Sequence, residues 1–276
     1  MGSLREDLAS APQAHGTKDG PPTAELSGVA PCTVRTPTPA NGTSFGVAAA
    51  IVSSYGFRHP CANPERLTLA REIASFANEQ GVLLVILPAG FLCATTSAEV
   101  HDLADELARV FSKCAVIAGV DRETKAPQPS DFHVIAADRG RLCGVWPQRV
   151  IHGSEPVRLP LEPRCVVVNG IRVSVLACGE VYHRAFHTAA GCSFPDLVVD
   201  VGHKSMGRGF SHTLCALART TEATVLHAQH VSVSNRHPRK WKATKSGAIW
   251  TQHRDWLSSS HSQLWAEVKL WDLVKG

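Results

Sequence analysis

The chain has 276 residues, 44% of them hydrophobic and 19% charged, a balance that excludes a disordered chain and supports a core without covalent staples. The net charge is +4, from 28 basic and 24 acidic residues, and aromatics make up only 6%. With no basic stripe among stacking side chains, nucleic acid is not an expected partner. No run approaches the roughly 18 apolar residues of a membrane span, and the longest, Val82 to Ala89, suits a buried strand.

Met1 to Ser44 is rich in Ala, Pro, Gly, Ser and Thr without periodicity and reads as a flexible tail, so the ordered domain is expected over 45–276. Phe45 to Ser53 reads as a strand. Asn63-Pro64 opens a helix reaching about Gln80, and Gly81 closes it. Val82 to Pro88 is a central strand, Ala98 to Phe111 a helix, and Cys114 to Val120 a strand. Phe132 to Ala137 and Arg141 to Trp146 flank Asp138-Arg139-Gly140 as a hairpin. Arg164 to Val168 and Ile171 to Ala177 flank Asn169-Gly170, whose residues accept the left-handed dihedrals of a tight turn. Glu180 to Ala190 reads as a helix, Asp196 to Val201 as a strand, Gly209 to Thr220 as a helix, and Thr224 to Ser232 and Ala248 to Thr251 as strands. The chain closes on a partly extended Gln263 to Val274. Helices alternating with strands and embedded hairpins imply a mixed sheet.

The nine cysteines form no C-x-x-C pair, their number is odd, and Met1 to Gly20 holds no apolar signal core. Reduced thiols in a cytoplasm-like compartment are the expectation, most of them small buried hydrophobes. Gly42-Thr43-Ser44-Phe45-Gly46 matches G-x-S-x-G, but it precedes a strand where a serine elbow must follow one. Asn41-Gly42-Thr43 is a sequon without a secretion signal. Glu180, His183 and His187 share a helical face, yet their spacing matches no zinc signature, and no metal or cofactor is assigned.

The informative segment is Val173 to Glu180. A buried strand ends at Cys178, and Gly179 and a helix start follow at once. Unpaired backbone N–H groups at such a start favour a thiolate and can stabilise an oxyanion, while glycine leaves room for a substrate.

This layout resembles the nitrilase (carbon-nitrogen hydrolase) superfamily. Leu83 to Pro88 followed by Ala89-Gly90-Phe91-Leu92 matches the family's strand ending in Pro-Glu, and Leu176-Ala177-Cys178-Gly179-Glu180 matches its nucleophile strand. Asp196 to Val199, Leu214 to Arg219, Thr224 to Leu226, Ser246-Gly247 and Trp265 to Val268 match later elements. The resemblance implies an α-β-β-α sandwich of two mixed sheets, with an ordinary doubly wound α/β domain as the alternative. It also implies a homo-oligomer and a cysteine nucleophile for an amide, carbamoyl compound or nitrile. In the family a glutamate moves the protons and a lysine holds the tetrahedral intermediate. Here Ala89 stands at the glutamate and Arg149 is nearest to the lysine. Alanine moves no proton, and arginine keeps its own near neutral pH. Glu155, Glu180, His183 and His203 are candidate substitute bases, each expected on its own to face solvent. With Ala89, Gly179, Glu180, Glu155 and His203 as expected substrate-pocket residues, two readings follow: a divergent thiol hydrolase using Cys178 and Arg149, or a nitrilase-like pseudoenzyme binding a metabolite or protein.

Overall fold

The structure, a computed structural model, describes residues 44–54, 62–124, 128–151, 156–203, 210–232, 254–258 and 265–274. Residues 1–43 of the tail expected over 1–44, the strand at Ala248 to Thr251 and Glu155 lie outside the described residues, while Ser44 opens the first strand.

Among the described residues, twelve strands and four helices alternate. The first half holds β1 (Ser44–Ser54), α1 (Asn63–Glu79), β2 (Leu84–Ile86), β3 (Leu92–Ala94), α2 (Ser97–Val110), β4 (Ala115–Arg122), β5 (Phe132–Asp138) and β6 (Arg141–Pro147). The second holds β7 (Cys165–Val168), β8 (Ile171–Ala177), α3 (Arg184–Gly191), β9 (Leu197–Val201), α4 (Phe210–Thr221), β10 (Thr224–Ser232), β11 (Arg254–Ser258) and β12 (Trp265–Val274). Local chemistry sets several ends. Pro64 occupies the first turn of α1. The Thr96 hydroxyl caps α2 by accepting from Glu99 N at 3.2 Å, and the Glu99 carboxylate returns to Thr95 N at 2.6 Å. The β7–β8 hairpin turns through Asn169 and Gly170 at φ 52° and 82°, and the β5–β6 hairpin through Arg139 and Gly140 at 46° and 82°.

β1, β2 and β4 run parallel, with β5, β6, β11 and β12 added antiparallel. β10, β9 and β8 run parallel, with β7 antiparallel at the edge. The end of β1, Ile51 to Ser54, pairs with Gln229 to Ser232 of β10 and joins the two sheets.

Alternation along the strands places the layers. On β4, Ala115 and Ile117 point inward with Leu84 and Ile86, and they meet Val173, Val175, Val199 and Leu226 of the other sheet. Val116, Ala118 and Val120 point outward onto Leu69, Ile73, Leu103 and Leu107 of α1 and α2. On the far side Leu176, Val198 and Val225 meet Phe186, Leu214 and Leu217 of α3 and α4. These three cores are the α-β-β-α sandwich, and the inner one excludes a single open sheet.

Several local expectations change. Glu180 to Ala190 is not one helix: a 3-10 turn, Cys178–Tyr182, comes first, and α3 starts afresh after His183, whose Nδ1 accepts from Ala185 N at 3.2 Å. The short strands β3 and β11 were not foreseen. Cys165, expected inside an apolar strand, is exposed because β7 is an edge. No helix among the described residues is long and apolar enough to cross a membrane.

Candidate active site

Cys178 leaves the C-terminal end of β8 and is half-buried, with φ 38°. That left-handed dihedral strains a residue with a Cβ by about 1–3 kcal/mol, so neighbouring contacts must hold it. Glu180, two residues on and fully buried, supplies them. Its carboxylate accepts from Arg149 N at 2.8 Å, Arg149 Nε at 3.2 Å, Arg164 Nη1 at 3.0 Å and Ala177 N at 3.2 Å. Arg164 also donates to the Pro147 carbonyl, and Arg149 donates to the Glu162 carbonyl at 2.9 Å and lies 4.5 Å over the Phe186 ring. Burial pulls the Arg164 guanidinium down to about 10, against the raising effect of the Glu180 charge. Gly179 is required sterically, since a methyl group there would sit 2.0 Å from the Ile151 carbonyl oxygen.

Beside Cys178 lies His203, just beyond β9. Its Nε2 is 2.7 Å from Oδ2 of Asp121, a fully buried residue near the end of β4, and its imidazole also hydrogen-bonds the Cys178 side chain. Phe132 meets the ring edge-on, with centroids 5.1 Å apart. Burial works against a charged imidazole. The Asp121 charge and hydrogen bond, with the Cys178 sulfur, outweigh it and push His203 up to about 10. The arrangement is therefore a thiol, an imidazole and a carboxylate in sequence, with the imidazole held as a cation. Such a couple can activate sulfur for attack and return a proton to a leaving group.

No family model matches the chain, and no curated protein matches its sequence. Solved structures do match. A cysteine-to-alanine variant of the Nesterenkonia AN1 amidase from the nitrilase superfamily superposes with a TM-score of 0.56 at 19% identity, over 70% of this chain and 79% of that one. The same amidase as a double mutant in complex with acrylamide gives 0.56 at 20%, over 71% and 80%. A variant showing covalent addition of the acetamide moiety of fluoroacetamide at the active site cysteine gives 0.56 at 18%, over 70% and 79%. The fold is that of the nitrilase superfamily.

Against the resemblance to that superfamily, the predicted site residues divide. Ala89, at the family's glutamate, is buried in the inner core, and its N–H donates to the Gly202 carbonyl at 3.2 Å, one residue before His203. Arg149, two residues beyond β6, directs its guanidinium to Glu180 and to the Glu162 carbonyl. Glu180 and His203, each expected to face solvent, are both buried: the first braces the turn and the second meets Cys178. The Glu180, His183 and His187 face does not converge. Glu180 is held by arginines, His183 caps α3, and His187 Nε2–H donates to the Val181 carbonyl at 2.7 Å, its imidazole held below the ordinary range chiefly by burial. Among the described residues, no group of three or more His, Cys, Asp or Glu is placed to hold a metal ion.

Asp121 and Arg164 were missed by sequence reasoning. Asp121 had a usable signal: it is the first charge after the apolar run Ala115 to Val120, an acid near the end of a buried strand. Arg164 had none, as a basic residue before an edge strand is ordinary.

Proposed function

We propose that the chain is a thiol-dependent hydrolase of non-peptide C–N bonds, acting on a small amide, carbamoyl compound or nitrile, in which His203 and Asp121 do the proton work of the family's glutamate. The observation that carries this reading is the His203 imidazole, hydrogen-bonded to both Asp121 and Cys178.

For an amide, the Cys178 thiolate attacks the carbonyl carbon, forming the C–S bond and placing the π electrons on oxygen. The imidazolium of His203 gives its proton to the nitrogen as the C–N bond breaks, and ammonia or an amine leaves. The neutral imidazole then takes a proton from water, whose oxygen attacks the thioester carbon. The C–S bond breaks, the carboxylic acid departs and gives its proton to solvent, and the thiolate–imidazolium pair is restored. Asp121 holds the ring in orientation and balances its charge throughout, as a carboxylate does in other nucleophile–histidine couples. A base of this kind contributes roughly 10²- to 10⁴-fold, the term Ala89 cannot supply.

Buried Ala89 favours a second reading, a binding module on the same fold. The two separate on ammonia release from a panel of small amides and nitriles. The hydrolase reading expects turnover that Cys178→Ala abolishes and His203→Ala lowers at least a hundredfold. Turnover no higher than that of Cys178→Ala across the panel overturns it in favour of the binding module.

A further inference from the structure

A second buried imidazole–carboxylate pair lies next to His203 and takes no part in the reaction above. His227 of β10 has Nδ1 2.6 Å from Asp200 Oδ2 on β9, and Nε2 3.2 Å from Gln229 Oε1. All three side chains are buried. Phe210 of α4 packs across the imidazole with centroids 4.6 Å apart. Burial pushes the Asp200 carboxyl upward, opposed by its hydrogen bond to His227.

The ring's position explains a glycine. A methyl group on Gly202 would fall 2.3 Å from His227 Cε1 and 3.2 Å from both ring nitrogens. Gly202 is not in the left-handed region, so glycine is there for space rather than for its dihedrals. The surrounding backbone is tied on two more sides. Gly202 N donates to Ala228 O at 2.9 Å, its carbonyl accepts from Ala89 N at 3.2 Å, and the His203 carbonyl accepts from His230 N at 3.0 Å. His203 thus leaves β9 from a residue clamped by strand hydrogen bonds and by one imidazole ring.

We infer that His227, fixed by Asp200 and Gln229, is a positioning residue for His203: its ring fills the space of the absent Gly202 side chain and sets where the catalytic imidazole meets Cys178. An aliphatic side chain would fill the same volume but rotate. Two hydrogen bonds at opposite ring nitrogens fix the plane. A displacement on the order of 1 Å at a catalytic group costs about a hundredfold in rate, so such a brace matters to chemistry more than to folding. The inference rests on the reading of Cys178 and His203 as the reacting pair.

The test needs no substrate. Alkylation of Cys178 in the full chain by iodoacetamide, followed by peptide mapping, gives the ratio of rates at pH 6 and pH 9. Free thiols titrate near 8.5 and react slowly at pH 6, whereas a thiol paired with an imidazolium reacts there. The ratio is expected to fall on the order of a hundredfold in His203→Gln relative to the unmodified protein. His227→Ala and Gly202→Ala are each expected to lower it about tenfold. In the double variant the losses do not multiply, because the methyl group occupies space the ring has left. Should Gly202→Ala fail to fold, Asp200→Asn, which keeps its shape, is expected to lower the ratio severalfold. An unchanged ratio in His227→Ala and Asp200→Asn, with His203→Gln still lowering it, overturns the positioning role alone. An unchanged ratio in His203→Gln overturns the reacting pair itself.

Discussion

Replacing Glu180 by alanine removes the acceptor of four hydrogen bonds and leaves Arg164, with a side chain only 6% exposed, as a buried cation without its carboxylate. Breaking a buried pair in this way costs about 3–5 kcal/mol, because the remaining charge stays desolvated. For a domain of this size that corresponds to roughly 6–20 °C in Tm, at about 2–4 °C per kcal/mol. The three members are not equivalent. Arg149 has a side chain 24% exposed, so water takes over part of its role, and Arg149→Ala is expected to cost less than Arg164→Ala. Urea unfolding gives the order, with Glu180→Ala the largest loss, and Cys178 alkylation in the folded variants tells whether the strained turn relaxes. A Glu180→Ala protein within about 1 kcal/mol of the unmodified one would refute the argument that this carboxylate holds the turn.

Three further outcomes follow from the same geometry. The Asp121–His203 pair contributes stability with a definite sign. Because folding raises His203 from 6.5 to about 10, the contribution is full below about pH 6.5 and is lost as pH rises through about 10. Urea midpoints should therefore fall over that window in the unmodified protein, and Asp121→Asn should flatten the fall. Gly179→Ala forces a methyl group against the Ile151 carbonyl, so it should shift the turn and abolish the pH 6 alkylation of Cys178 even where the fold survives; unaltered alkylation would refute the close approach. Among the thiols of the described residues, Cys178 should label first under limiting iodoacetamide at pH 7, ahead of exposed Cys143, Cys165 and Cys192. Cys114, pushed up to about 11 by burial and then by Asp138, should be among the slowest, an order that peptide mapping reads directly.

What could be read in advance follows the range of the interactions. The Asn169-Gly170 turn, the Asn63-Pro64 helix start and the apolar run of Cys114 to Val120 are written in neighbouring residues, and the elements they mark appear where the sequence places them. Cys178 was legible for the same reason, as a cysteine and glycine ending an apolar strand. Glu180 read as a surface acid because its arginine partners lie 31 and 16 residues away. His203 and Asp121 are 82 residues apart and meet only when two sheets pack face to face. β3 is three residues long and exists through its pairing with β4, so no periodicity announces it.

The central claim, that Cys178, His203 and Asp121 form one acyl-transfer couple, is tested most directly by a burst experiment with p-nitrophenyl acetate. Intact mass and peptide mapping follow the transferred acetyl group. A burst of about one equivalent of nitrophenolate, a single acetyl on Cys178, and slowed release of that acetyl in His203→Ala are expected. Acetylation confined to exposed Cys143, Cys165 and Cys192, with Cys178 unmodified, would contradict it.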